Sequence, residues 1–146
     1  TPRTPGTDGR KMSKSYGNTI GLREDPDAVA AKLKTMQTDP ARVRRTDPGD
    51  PAKCPVWDLH KLYSSEETRQ WAEQGCRSAG IGCLECKKPL IERVVEEVTG
   101  MRQRAQEYED NPDLVHGIIA EGCEKAREVA GQTLDDVKQA IGLVYR

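Results

Sequence analysis

The sequence contains no phenylalanine, few aromatic residues of any kind and no long run of apolar residues. Of its 146 residues, 35% are hydrophobic, 4% aromatic and 32% charged. Such a composition suits long helices that each bury one apolar stripe and expose a charged face. No apolar stretch is long enough to cross a bilayer, and residues 1–6 do not form a signal peptide. We therefore expect a cytoplasmic protein without a membrane partner.

The sequence also lacks an excess of either charge, because its formal net charge is −1. This balance excludes a global positive field that would draw the protein onto nucleic acid, so RNA binding would have to come from local patches. The strongest positive patch is residues 32–45, with five Lys or Arg and one Asp. A solvated surface and a contact with RNA phosphates are equally compatible with this patch.

No segment shows the alternating pattern of a strand, whereas helical spacing recurs along most of the chain. Caps, prolines and apolar periodicity predict helices at about residues 26–38, 56–63, 66–74, 86–110 and 113–143, the last with a possible break near Gly131. The fourth should bury a stripe made of Leu90, Ile91, Val94, Val95, Val98 and Met101. The two long helices, joined by a tight turn, should pack antiparallel. We predict an all-α helical bundle preceded by a loop.

The loop contains the segment Lys11-Met12-Ser13-Lys14-Ser15, with Gly9 and Gly17 on either side. Ammonium groups, hydroxyls and backbone N–H groups on a segment that can move would suit a polyphosphate, because a departing pyrophosphate needs cations held ready for its charge. The alternative for such a pattern is a solvated basic turn. We favour phosphate binding because of the particular string, KMSKS.

KMSKS is the signature loop of class I aminoacyl-tRNA synthetases, and residues 9–20 resemble bacterial tryptophanyl-tRNA synthetases. Two further stretches resemble that family in the same order: residues 47–63, beginning Asp47-Pro48-Gly49-Asp50-Pro51, and residues 75–83. The resemblance implies an enzyme that joins tryptophan to ATP, with Mg²⁺, and transfers the tryptophanyl group to tRNA(Trp). It implies that Lys11 and Lys14 are catalytic and that residues 11–15 together (Lys11, Met12, Ser13, Lys14, Ser15) contact ATP.

The resemblance also implies a domain arrangement. Residues 1–22 would form the KMSKS loop and the end of a Rossmann-like catalytic domain, the remainder of which, with the tryptophan pocket, would precede Thr1. Residues 23–146 would form a helical anticodon-binding domain. The full enzyme would be a homodimer and the isolated chain inactive. The alternative is a metal-stapled helical module that binds RNA or is structural, without catalytic activity.

Four of the five cysteines, Cys54, Cys76, Cys83 and Cys86, fall within 33 residues. In a reducing compartment this clustering favours a metal site over disulfides, the alternative being unliganded thiols. Zinc usually takes paired C-x2–4-C units, and only one such pair is present, whereas iron–sulfur clusters accept irregular spacing. The resemblance favours a [4Fe–4S] cluster, with Zn²⁺ as the alternative and His60 as a less favoured ligand. Cys123 stands apart on a predicted core stripe, as a small buried side chain.

The bundle would read single-stranded bases of the tRNA anticodon by stacking and by hydrogen bonds to their edges. The side chains proposed for this contact are basic: Arg42, Arg44, Arg45, Lys61, Arg77, Lys87 and Lys88. Trp57 is a further stacking candidate, for which packing in the core is the favoured interpretation.

Overall fold

The computed structural model describes residues 4–143, and within this range the chain is helical and has no strand, which confirms the all-α prediction. An isolated antiparallel bridge joins Pro5 to Lys11. Two short 3₁₀ turns, Lys14–Tyr16 and Pro51–Lys53, precede the first and the second α-helix respectively. The α-helices are α1 (Pro26–Thr35), α2 (Pro55–Tyr63), α3 (Glu66–Arg77), α4 (Cys83–Asp110) and α5 (Pro112–Ala140).

The helix starts follow the capping signals of the sequence. The Asp25 carboxylate accepts from the Asp27 N–H at 3.0 Å, and Pro26 occupies the first helical position. Asn111 does the same for α5, where its side chain accepts from the Leu114 N–H. Side-chain oxygens at these positions satisfy backbone donors that have no partner within the helix.

The helix ends differ from the predictions by a few residues. Helix α1 ends at Thr35 instead of 38, because Met36 already has an extended ψ of 138°. Helix α3 runs past Gly75 to Arg77, and α4 begins three residues early, at Cys83. Helix α5 continues through Gly131 without a break. Glycine inside a long helix is tolerated when the flanking residues continue the helical pattern.

The chain divides into two compact units, Thr1–Arg104 and Ala105–Arg146. The core of the first unit draws on α1, α2 and α4, so the apolar stripe predicted for α4 is confirmed at its centre, with Ile91 and Val95 packed beside it. The buried side chains of this core are Val29, Leu33, Met36, Val56, Leu59, Leu90, Val94 and Val98. The domain boundary expected after residue 22 stays a prediction.

In the second unit, α5 has no buried residue. Its apolar side chains, including Ile118, Ile119, Val129 and Leu134, are exposed, since a single helix cannot enclose its own apolar stripe. Cys123 is exposed as well, so the prediction of a buried thiol there is wrong. Among residues 4–143, no helix has both the length and the apolar character needed to cross a membrane.

Candidate functional site

The KMSKS loop is held by a short network of backbone hydrogen bonds. The Gly6 N–H donates to the Arg10 carbonyl at 2.7 Å, and the Thr7 N–H donates to the Asn18 carbonyl at 3.0 Å. The 3₁₀ turn within the loop ends at Gly17, whose φ of 64° is a left-handed conformation that glycine adopts without strain. The loop is therefore closed at its base and turned back on itself.

Asn18 is the buried centre of this loop, with 2% of its surface exposed. Its Oδ1 accepts from the Ser13 N–H at 2.7 Å, and its Nδ2 donates to the Asp8 carboxylate at 2.7 Å and to the Lys11 carbonyl at 3.2 Å. The bond from Asn18, with that from Arg10, holds the pKa of Asp8 below its usual value. One amide side chain thus fixes the backbone at both ends of the KMS segment.

Lys11, Lys14 and Ser15 are exposed, and Met12 and Ser13 are half-buried. No carboxylate in the described part of the chain lies within ion-pair distance of either lysine ammonium. Both ammonium groups face solvent and are available to an anionic ligand.

Arg10, next to these lysines, is engaged in a different way. Its guanidinium forms an ion pair with Asp8 at 2.6 Å and stacks 4.2 Å from the centroid of the Tyr16 ring. Because Arg10 is already paired with Asp8 and Tyr16, it does not compete with Lys11 and Lys14 for an anion.

The base of the loop rests on α1 and on the start of α2. The Gln37 N–H, just beyond α1, donates to the Thr7 carbonyl at 2.9 Å, and Lys32 Nζ donates to the Thr19 carbonyl at 3.0 Å. Gly9 has a φ of +79°, and a Cβ there would lie 2.8 Å from Pro55 Cγ. Glycine is required at this point both by its conformation and by the close approach of the proline ring.

The four clustered cysteines come from three helix ends in the first unit. Cys54 directly precedes α2, Cys76 lies at the end of α3, and Cys83 and Cys86 lie in the first turn of α4. All four are half-buried and none forms a disulfide. Three of them line one cavity of about 20 Å³, whose wall is completed by other side chains: Pro51, Val56, Trp57, His60 and Ala72.

Burial favours the protonated form of three of these thiols. It raises the pKa of Cys54 and Cys76 and, together with the other three thiols, raises the pKa of Cys86 to about 12. Backbone N–H groups of Val56, Trp57 and Asp39 lower the pKa of Cys54 and so oppose the effect of burial there. A bound metal would instead stabilise the anionic thiolate form.

Arg42 closes one side of the thiol site. It is 8% exposed, and its Nη2 donates to the carbonyls of Arg45 at 3.0 Å and Ile81 at 2.6 Å. Its Nη1 lies 3.9 Å from Cys76 Sγ, while its buried Nε has no partner in the described part of the chain. Gly49 lies alongside, where a Cβ would be 2.5 Å from the same sulfur.

His60 lines the same cavity, and Lys87 follows Cys86 in α4. His60 is fully buried, with Nδ1 at 2.8 Å from Ser64 Oγ and Nε2 at 3.5 Å from Cys86 Sγ. Burial lowers the pKa of His60, so the ring is neutral. Lys87 is 4% exposed, and its Nζ donates to the Lys34 carbonyl at 2.8 Å and to the Met36 carbonyl. Its ammonium is engaged inside the protein.

The side chains considered for RNA contact fall into two groups. Arg42 and Lys87 are buried and hydrogen-bonded, so neither presents its charge to a ligand outside. The exposed members are Arg44, Arg45, Lys61, Arg77 and Lys88. Carboxylates neutralise three of these, in the pairs Arg45–Glu85, Lys61–Asp58 and Arg77–Glu73. Arg44 and Lys88 have no ion-pair partner among the described residues.

Arg44 lies in a groove that also has apolar walls. The groove, about 350 Å³, separates residues 42–45 from the first residues of α4, and Val43 and Leu84 line it with 84% and 68% of their surfaces exposed. Leu84 also borders a second depression, beside Lys34 and Lys88. Exposed apolar side chains next to unpaired cations form a surface suited to a base and its phosphate.

The KMSKS loop and the helices that follow it match one family of proteins. The family model of class I tRNA synthetases (W and Y) matches residues 1–99, and the chain belongs to this family. It is 59% identical over 143 residues to a tryptophan–tRNA ligase of Ralstonia nicotianae, and 44% identical over 145 residues to one of Thermotoga maritima.

Solved structures agree with this family. A tryptophanyl-tRNA synthetase from Campylobacter jejuni, complexed with ADP and tryptophan, matches 97% of this chain with a TM-score of 0.79 and 27% identity. One from Aeropyrum pernix matches 71% with a TM-score of 0.57 and 31% identity. The chain covers 36% of the Ralstonia relative and 44% of the Thermotoga relative and of the Campylobacter chain, so it spans less than half of their lengths.

Sequence reasoning missed the interior roles of Arg42 and Lys87. A signal for Lys87 was present, because it lies on the same face of α4 as Leu90, Val94 and Val98, at spacings of 3, 7 and 11 residues. For Arg42 no comparable signal exists, since it lies in a turn without periodicity.

Proposed function

We propose that this chain is the part of a tryptophan–tRNA ligase that supplies the KMSKS loop and the helices that contact tRNA. The observation that carries the proposal is the pair of exposed, unpaired ammonium groups of Lys11 and Lys14 on a loop fixed by Asn18. The sequence identity of this chain to relatives named tryptophan–tRNA ligase supports tryptophan as the amino acid that the enzyme activates.

The reaction of such a ligase places a specific demand on these lysines. The tryptophan carboxylate attacks the α-phosphorus of ATP, the α–β bond breaks, and pyrophosphate leaves with the bonding electrons. A hydroxyl at the tRNA 3′ end then takes the tryptophanyl group and AMP leaves. Lys11 and Lys14 would stabilise the charge on the departing pyrophosphate, with Mg²⁺ on the ATP. Ser13, Ser15 and the Met12 backbone would complete the phosphate contact.

The test uses the complete synthetase that carries this chain. ATP–pyrophosphate exchange should depend on tryptophan and not on tyrosine, since the family includes enzymes for both. Exchange with tyrosine alone would overturn the choice of amino acid. The alternative, a helical module without catalytic function, predicts that neither amino acid supports exchange. We expect the isolated chain to form no adenylate and the full enzyme to be a cytoplasmic homodimer.

We further propose that Cys54, Cys76, Cys83 and Cys86 hold a [4Fe–4S] cluster, with Zn²⁺ as the alternative. Four half-buried thiols with backbone N–H groups facing one of them are a donor set that fits soft metals. No group of three or more His, Cys, Asp or Glu in residues 4–143 is arranged so that it could hold a metal ion, so loading would require the thiols to reorient. The bound metal or cluster would link α2, α3 and α4 through the four cysteines.

Metal content and colour test this site. Anaerobically prepared protein should be brown and contain about four irons per chain. The Cys86→Ser variant should lose that colour, whereas Cys123→Ser, which alters the exposed cysteine outside the cluster, should keep it. Colourless protein with stoichiometric zinc would show that the site binds Zn²⁺ and not an iron–sulfur cluster. Absence of metal from the wild type and from both variants would exclude a metal site.

For tRNA, we propose that the groove beside Arg44 takes a single-stranded base of the anticodon. Val43 and Leu84 would pack against the base, and Arg44, Arg45 and Lys88 would contact phosphates, with Lys61 and Arg77 as more distant contacts. Arg44→Ala with Lys88→Ala should weaken tRNA(Trp) binding and reduce the salt dependence of log K by about one to two units. Lys125→Ala, on exposed α5, serves as the control. An unchanged salt slope would contradict this surface.

A further inference from the structure

Two lines of contact run from the thiol site to the base of the KMSKS loop, both within the first unit. The first is short. Cys54 is followed directly by Pro55, and the proline ring packs so closely on the backbone of Gly9 that a Cβ there would be 2.8 Å from Pro55 Cγ. Gly9 lies only two residues before Lys11.

The second line passes through Lys87. This residue follows Cys86, is 4% exposed and donates from Nζ to the carbonyls of Lys34 and Met36. These carbonyls are at the C-terminal end of α1, where a cation is favoured by the helix dipole and by unsatisfied acceptors. Lys87 therefore connects the first turn of α4 to the end of α1.

The connection continues from α1 into the loop. The Gln37 N–H, adjacent to Met36, donates to the Thr7 carbonyl at 2.9 Å, and the Thr7 N–H donates to the Asn18 carbonyl at 3.0 Å. The Asn18 side chain in turn holds the Ser13 N–H and the Lys11 carbonyl. Every step from Lys87 to the KMS segment is a hydrogen bond or a peptide link.

The backbone links Lys87 to the thiols. Lys87 directly follows Cys86 near the start of α4, so a displacement of this turn at the cysteines also displaces the residue that holds the end of α1.

We propose that Lys87 is a positioning residue that transmits the state of the thiol site to the base of the KMSKS loop. The contact of Lys87 with α1 stands without a metal, whereas its response to metal loading rests on the proposed thiol site. The consequence is that an event at the cysteines changes the stability of the segment that presents Lys11 and Lys14.

Amide hydrogen exchange of the metal-free chain tests the contact itself. In Lys87→Met, the amides of Gln37 and Thr7 should exchange about tenfold faster or more than in wild type, because opening of the end of α1 becomes easier. Lys88→Met, on the exposed side of the same turn, should leave both amides as in wild type. Exchange in Lys87→Met that equals the Lys88→Met control would overturn the proposal.

Hydrogen exchange measured with and without metal distinguishes this proposal from the proposal that the four thiols bind a metal. Loading wild type should slow exchange at the Gln37 and Thr7 amides, and Lys87→Met should lose most of that response. An equal response in both proteins overturns the role of Lys87 even when metal binds. If no metal binds, the thiol-site proposal fails, and the metal-free comparison still decides the contact. Should Lys87→Met not fold, as judged by circular dichroism, Lys87→Gln and Lys88→Gln replace the pair.

Discussion

The KMSKS loop and the thiol site place their reactive groups in opposite surroundings, although both belong to the first unit. The loop exposes the ammonium groups of Lys11 and Lys14 and buries the amide that holds the backbone, Asn18. The thiol site encloses its reactive groups so far that the pKa of Cys86 rises to about 12. The loop thus presents its charges to solvent, whereas the thiol site keeps its sulfurs partly out of solvent.

The same contrast appears within one residue type. Lys14 is exposed without an ion-pair partner among the described residues, whereas Lys87 is buried against two carbonyls. An ammonium in water keeps its charge for a ligand, and one inside the protein must have it satisfied by internal acceptors. Burial, more than sequence type, decides which lysine is functional and which is structural.

Removing the exposed charge should have the largest effect. Lys14→Ala in the complete synthetase should lower the rate of tryptophan activation by on the order of 100-fold or more, with little change in KM for ATP, because a preorganised cation acts mainly on the transition state. Pre-steady-state measurement of adenylate formation would check this. Lys125→Ala should retain the wild-type rate, and a Lys14→Ala rate within a few-fold of wild type would contradict the assigned role.

Filling the space beside the thiols should have the next largest effect. Gly49→Ala puts a Cβ 2.5 Å from Cys76 Sγ, so the sulfur or the turn has to move. We expect a loss of about 2 kcal/mol in the free energy of unfolding, as for other overpacked sites. Denaturant titration would measure it.

Gly117→Ala is the matched control, since no atom of the described residues lies within 4 Å of a Cβ there and the residue is helical. Alanine should be neutral or stabilising at that position by up to about 1 kcal/mol. Equal changes in both variants would show that the close contact at Gly49 does not affect the free energy of unfolding.

The free energy of unfolding at low pH should depend on a buried carboxylate, that of Asp39. Asp39 is 4% exposed and accepts from the N–H groups of Asp50 at 2.8 Å and Ala41 at 3.0 Å, which hold its pKa below its usual value. Its stabilising contribution is present above the unfolded pKa and is lost as pH falls through the lower, folded pKa. Asp39→Asn should lose about 1.5 kcal/mol at neutral pH.

The pH profile is the decisive measurement. The difference in unfolding free energy between wild type and Asp39→Asn should shrink as pH is lowered from 5 towards 2. A difference that does not change with pH would mean that the charge of Asp39 is irrelevant to its two hydrogen bonds.

The smallest effect is expected in the loop itself. Gly17 has a φ of 64°, and no atom of residues 4–143 lies within 4 Å of a Cβ there, so Gly17→Ala introduces backbone strain without a clash in that range. We expect a loss of about 1 kcal/mol. Gly9→Ala adds the clash with Pro55 to a similar φ and should lose more. Thermal unfolding of the two variants gives the comparison, and the reverse order would contradict the contact between the loop and Pro55.

Much of the fold could be predicted from local sequence. Asp25 and Asn111 cap helices where expected, and the stripe of Leu90, Val94 and Val98 is buried as expected. The interior roles of Arg42 and Lys87 could not be predicted. Propensity tables place arginine and lysine at the surface, and only the meeting of distant backbone carbonyls, such as those of Ile81 and Met36, provides the acceptors that allow burial.

The KMSKS string, the helix boundaries to within a few residues and the grouping of four cysteines were determined by the sequence alone. Caps, prolines and apolar spacing act over a few residues, so neighbouring side chains carry the information. The tertiary structure decided which cations are free, because burial depends on residues far apart in the chain. It also decided that Cys54, Cys76 and Cys86 share one cavity, and that Gln37, just beyond α1, bonds to the base of the loop.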